Sequence, residues 1–411
     1  MNQRESVYRP PFAVVSACAC LIAVGGVALL TGIYQTPHRV FPNLLLESYF
    51  FLSLGLGGSV FVALQYVTAA GWSVAFRRVP EAMAATLPAA ALFIFLVLVA
   101  SPSLYYWTAP RTDVAEAANQ LHDDWFQRWF FLVRSAVYLI SWLILSWALV
   151  RNSRLQDQDH ELSHTRKNVR FSAAFLTIFA ISFWLASSDW LMSLEPDWSS
   201  TIFGLYQFAG LFLGGLAGII VLANCLRWLG PFRRVLSREH LHDLGKLLFG
   251  FSSFWMYVWF CQYLLIWYVN NPEETGWFTR RLNGAWGMLL LVNVILNWGV
   301  PFLVLLPKAT KQSAVVLTAV ALVVLAGHWL DLYLVILPTS GEPDLISAAW
   351  EIGLALGAAG LFALLFFAGL ARAPLIPVAD PYLSESLATH AAADSDGGGT
   401  APDFAWQQPI V

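Results

Sequence analysis

Charge is scarce in this sequence. Asp, Glu, Lys and Arg make up 12% of 411 residues, about half the share of an ordinary soluble domain, which argues against a soluble globular fold. Cysteine is scarcer still: Cys18, Cys20, Cys225 and Cys261 all lie in apolar runs, and none forms a CxxC or CxxCH pattern. That spacing speaks against iron–sulfur ligation and c-type haem attachment and leaves buried, inert thiols. Only one histidine, His328, falls well inside an apolar run, so two axial ligands for a b-type haem cannot face each other across a bundle. No His, Cys or Asp cluster has metal-ligand spacing. A Walker loop, a Rossmann fingerprint and a nucleophile motif are all missing. The chain is expected to bind no metal or redox cofactor of its own, and no nucleic acid.

What is abundant is hydrocarbon. The sequence is 58% hydrophobic, with 19 Trp and 29 Phe, and its repeated apolar runs of 20 or more residues read as membrane spans. Ten are expected, at about 11–33, 44–70, 84–106, 129–150, 171–194, 202–226, 246–270, 281–306, 313–337 and 347–370. The first follows a short polar stretch, 1–10, without a small-residue cleavage site, and reads as an uncleaved helix. Of the 23 basic residues, 17 fall in one set of loops and tails and 5 in the opposite set, with Arg134 inside span four. The positive-inside rule then places both termini in the cytoplasm. The acidic turns at Glu195/Asp197, Glu273/Glu274 and Glu342/Asp344 fall on the other side. The segment 371–411 contains Ala-Asp-Ser-Asp-Gly-Gly-Gly-Thr and is expected to be a disordered cytoplasmic tail. The basic loops 151–170 and 227–246 suit contact with anionic lipid.

An internal repeat is visible. Leu56-Gly57-Gly58 precedes Phe76-Arg77-Arg78-Val79, as Leu213-Gly214-Gly215 precedes Phe232-Arg233-Arg234-Val235. Trp125-Phe126-Gln127-Arg128 recurs as Trp277-Phe278-Thr279-Arg280, and Asp189 and Asp331 each stand seven residues before a proline. The matches come in the same order, four spans apart, and an even offset keeps the orientation. The expected fold is therefore all-α: two parallel four-helix bundles, spans two to five (about 44–194) and six to nine (about 202–337), flanked by spans one and ten. The double glycines would let helices approach closely.

Ionisable residues inside hydrocarbon are costly and mark functional sites by default. Arg134, Asp189, His328, Asp331, Glu351 and Glu47 all fall in the outer halves of their spans, Glu47 at the start of span two. The inner halves hold neutral groups such as Gln65, Asn224, Asn293 and Asn297. Arg134 shares a stripe with Tyr138 and Ser141. Its guanidinium needs a carboxylate, Asp189 first and Asp331 or Glu351 next. The pair reads either as a structural lock or as part of a proton-loading cluster. His328 and Asp331, three apart on one face, suit a proton relay or a hydrogen-bonded core histidine. Glu195, Asp197, Glu273 and Glu274 read as solvated acids, or else as a proton exit funnel or a dock for a basic partner. His122-Asp123-Asp124 places acids that suit Arg128. Tyr105, Tyr106, Trp107, Trp267 and Tyr268 fit an aromatic belt, with a quinone pocket as the other reading.

One stretch carries a likeness. Ser187-Ser188-Asp189-Trp190-Leu191-Met192-Ser193-Leu194-Glu195-Pro196-Asp197-Trp198, running on to Gly204, resembles the signature of the F subunit of bacterial alternative complex III. His242-Asp243-Leu244-Gly245-Lys246, Asn271-Pro272-Glu273-Glu274-Thr275, Val300-Pro301-Phe302-Leu303, Phe130-Phe131-Leu132-Val133-Arg134 and His328-Trp329-Leu330-Asp331-Leu332-Tyr333 extend it over roughly residues 40–340. Asp197 departs from the family, which is expected to carry histidine there. The resemblance implies a membrane subunit of a quinol:cytochrome c (or other periplasmic acceptor) oxidoreductase, related to polysulfide-reductase-type anchors. It also implies a sister C subunit that oxidises quinol, an iron–sulfur B subunit, and haem-bearing A and E subunits. Proton transfer is carried over to Asp189, Arg134, His328 and Asp331, with Glu351 and Glu195 beside them. A second quinone-binding subunit, a secondary transporter and a purely structural anchor are the rivals.

Overall fold

The computed structural model describes residues 7–101, 104–108, 124–195, 198–233, 235–340 and 348–387. Asp197, Glu342, Asp344, His122, Asp123 and the glycine-rich run of the tail lie outside them. Among the described residues there is no strand, only an isolated bridge between Val7 and Pro374. Ten helices are long and apolar enough to cross a membrane, so this is a multi-pass helical membrane protein. They are α1 (Phe12–Gln35), α2 (Pro37–Val67), α3 (Arg78–Ala100), α4 (Arg128–Asp159), α5 (Ser163–Trp190), α6 (Phe203–Trp228), α7 (Arg238–Val269), α8 (Gly284–Val304), α9 (Ala314–Ile336) and α10 (Ala349–Leu370). Their number matches the expectation, but several run past the apolar stretch at one end. α4 continues to Asp159 and α5 begins at Ser163, because a helix needs hydrocarbon on neither side to keep its own hydrogen bonds, and Arg, Lys and Gln are good helix formers in water. Side chains tie the two extensions together: Asn152 donates to the His164 carbonyl at 2.7 Å and to Asn168 Oδ1 at 2.8 Å. α3 starts six residues earlier than expected, since Arg78 is neutralised by Glu81 and Asp157.

α2 packs on α3 and α5, and α4 closes that ring. α6 packs on α7 and α9, and α8 closes the second ring. These are the two parallel four-helix bundles. α2 and α6 meet between them and are buried over most of their length. Their approach depends on glycine: a methyl on Gly57 would stand 2.7 Å from the Gly215 Cα, closer than any packed carbon contact. α1 and α10 pair with each other and lean on α2. Trp267 and Tyr268 are exposed, as an aromatic belt requires. Tyr105 is not: it packs on Trp107 and Phe131, and its hydroxyl donates to the Trp190 carbonyl at 3.1 Å.

α8 contains a π turn at Ile295–Gly299. The cause is Pro301, which has no N–H and would collide with the carbonyl four residues back, that of Asn297. The widened turn frees this carbonyl, and the Ser252 hydroxyl of α7 donates to it at 2.6 Å. After α10 the chain stays on the bundle through residue 387, in contrast to the tail expected from 371. Asp380 pairs with Arg77, and Ser386 accepts from the Ala75 N–H at 3.1 Å and donates to the Trp72 carbonyl at 2.8 Å. The segment supplies the counter-charge for an arginine that would otherwise be buried alone.

Candidate functional site

In the first bundle, Arg134 lies near the start of α4 and Asp189 in the last turn of α5. Antiparallel packing brings them together. Arg134 Nε donates to Asp189 Oδ2 and Nη2 to Oδ1, both at 3.1 Å. Tyr138 adds a bond to Oδ2 at 3.2 Å and Trp125 Nε1 one to Oδ1 at 3.0 Å. The guanidinium rests 4.0 Å from the Trp125 ring centre and 4.5 Å from that of Phe130. Asp189 therefore accepts four hydrogen bonds, two on each oxygen, and faces a full positive charge. The pair ties α4 to α5 through two charge-assisted hydrogen bonds.

The second bundle treats its matching carboxylate differently. Asp331 of α9 is 3% exposed. Tyr206 of α6 and Asn293 of α8, the latter at 2.8 Å, donate to Oδ1, and Trp255 of α7 donates to Oδ2 at 3.3 Å. All three donors are neutral, and among the described residues no cation reaches the carboxyl. Asn297 Nδ2 then donates to Asn293 Oδ1 at 2.6 Å, so the chain of bonds runs from Tyr206 through Asp331 to the π turn. Asn293, placed among inner-half groups by sequence, belongs to the Asp331 site.

Above Asp331 sits Glu195, buried rather than solvated, because its turn folds against the short helix Pro272–Leu282. Arg280 Nη2 meets Glu195 Oε2 at 2.6 Å and Arg281 Nη2 meets Oε1 at 3.1 Å. Arg281 is fully buried. It caps α9 by donating to the Leu334 carbonyl at 2.7 Å and the Val335 carbonyl at 3.0 Å, and it lies within electrostatic reach of Tyr206. Burial pulls this guanidinium down to about 10, and Glu195 is the main group opposing that loss of charge. Arg280, with 55% of its side chain exposed, connects the group to the surface.

His328 stands beside Asp331 without bonding to it. Its Nε2 is 3.1 Å from Ser53 Oγ of α2, its ring presses on Gly210 and Gly214, and Nδ1 has no protein partner. Glu351, at the start of α10, pairs with Arg39 at 3.0 Å and accepts from Asn43 at 3.0 Å and Tyr333 at 2.9 Å. The residues singled out by sequence are thus not one pocket: they divide between an ion pair in the first bundle, a polar chain in the second, and a lock between α2, α9 and α10.

No family model matches the chain, and no curated protein matches it.

Glu47 was placed at the surface by sequence, because span two was expected to begin at 44. The helix begins at Pro37, so Glu47 lies about 15 Å into it at 1.5 Å per residue. Trp329 Nε1 donates to Oε1 at 2.7 Å, and Oε2 has no partner. Asp159, Glu161 and His164 hold their ligand atoms within 4.8 Å of one another. His164 Nδ1 donates to Asn152 Oδ1 at 2.6 Å, which leaves Nε2 facing Asp159 Oδ2 at 2.6 Å, and two of the three residues, Asp159 and Glu161, are exposed.

Proposed function

We propose that this chain is a membrane subunit of a quinol-oxidising respiratory complex of the alternative complex III type, holding no redox centre of its own and passing protons through its second bundle. One observation carries the reading. Asp331 is buried among neutral donors with no cation, so the counter-charge open to it is a proton. A carboxyl in that setting takes up and releases a proton as the surrounding charge changes. Asp189 differs in facing the Arg134 guanidinium.

Tyr206 and the Glu195–Arg281–Arg280 group give Asp331 a polar route toward one membrane face, the periplasmic one by the distribution of basic residues. Asn293 and Asn297 extend it inward to the π turn, an irregularity that helices carry most often at functional positions. The association with quinol oxidation and with haem and iron–sulfur partners comes from the sequence likeness. The parallel, not inverted, repeat speaks against most secondary transporters.

The test has two arms. Affinity purification of the tagged chain from its native membrane is expected to bring down haem-bearing and iron–sulfur polypeptides with their optical spectrum. Isolation without any redox partner would remove the complex from the account. Asp331→Asn in that complex is expected to leave assembly and the spectrum unchanged while lowering the protons moved per quinol oxidised.

A further inference from the structure

We propose that the two apolar clefts on either side of α10 form a binding site for a neutral lipid-soluble molecule with a hydroxyl head, which Glu47 holds. One cleft, between α1, α2, α3 and α10, has a volume of about 330 Å³. The other, between α2, α6, α9 and α10, has about 540 Å³. Both fall within the size range of small-molecule sites. Glu47, Phe51 and Phe362 line both clefts, and Glu47 is the one ionisable residue in either lining.

The chemistry follows from the lining. Without a lysine or arginine, neither cleft neutralises a phosphate, so a phospholipid head group is a poor occupant. Glu47 is 5% exposed, and Trp329 satisfies only one of its oxygens. A buried carboxyl oxygen without a partner is costly, and a ligand hydroxyl satisfies it with a single bond. The apolar body of the ligand then lies along Phe51, Leu325 and Phe362. α10 packs mainly on α1 and only lightly on α2, which leaves its flanks accessible from hydrocarbon. This site does not depend on the proton reading, since it uses neither Asp331 nor its partners.

The experiment is labelling of the purified full chain with dicyclohexylcarbodiimide, which modifies carboxyls in apolar surroundings, with mass spectrometry reading the rate at Glu47. Saturating 1,2-dioleoylglycerol or decyl hydroquinone is expected to slow labelling about tenfold, while dioleoylphosphatidylcholine does not. Protection by the diacylglycerol alone assigns an acyl lipid, by the hydroquinone alone a lipid-soluble redox carrier, and by both a site that reads only the hydroxyl. Direct binding of the same two probes is expected to weaken about tenfold in Glu47→Gln, with the melting temperature preserved. Ala355→Trp, which fills the larger cleft, is expected to abolish protection there. Equal binding to wild type and Glu47→Gln, or equal protection by phosphatidylcholine, would overturn the proposal.

Discussion

A carboxylate inside a membrane protein keeps its charge only beside a cation; otherwise it holds a proton. Asp189 and Asp331 occupy corresponding places in the repeat, but one faces a guanidinium and the other three neutral donors. Arg134→Gln leaves Asp189 buried without its cation, and such unpaired charges cost about 3–5 kcal/mol. The variant is expected to unfold at a clearly lower temperature in detergent. Glu195→Gln likewise withdraws the charge facing Arg281. Its expected effect is loosening of the Pro272–Leu282 helix, read as faster amide exchange over residues 277–282. At this scale the Arg134–Asp189 pair was legible, because an arginine in hydrocarbon demands an acid and the Tyr138 stripe pointed the right way. Tyr206, Trp255 and Asn293 were not, since neutral polar and aromatic residues in an apolar run look the same whether they fill a core or surround an acid. Glu47 was legible as an intramembrane acid but not as one deep in its helix, because hydropathy set the helix start seven residues late.

Helix ends and one irregular turn decide how these side chains meet. Hydropathy reads the hydrocarbon thickness, while hydrogen bonding and capping set the helix. α7, for instance, starts at a capping box in which Ser237 Oγ accepts from the His240 N–H and His240 Nδ1 accepts from the Ser237 N–H. The π turn of α8 could be suspected from Pro301 but not located, because a proline can kink a helix without widening it. Pro301→Ala restores a donor and removes the clash with the Asn297 carbonyl. The expected outcome is a regular α-helix with slower amide exchange at residues 297–301, and loss of the Asn297–Asn293 bond that extends the Asp331 chain.

For the whole molecule, the repeat fixes the architecture. α2 and α6 are its counterparts, and their contact at Gly57 and Gly215 joins the two bundles. Gly57→Ala forces a methyl against backbone, and overpacking of this kind costs about 1–3 kcal/mol; thermal unfolding of the purified chain in detergent reads the loss. The bundles were legible because glycine pairs, Trp–Arg motifs and Asp–Pro spacings recur in register. The different surroundings of the two acids were not, since they turn on single side chains: α4 brings Arg134 to Asp189, whereas α8 brings Asn293 to Asp331 and the nearby Arg281 caps α9. On the proposed function it is the second bundle that changes charge. Proton release per quinol oxidised, measured in proteoliposomes carrying the purified complex, tests this directly. The account predicts a lower ratio in Asp331→Asn with quinol oxidation and subunit composition retained; an unchanged ratio in that variant would contradict it.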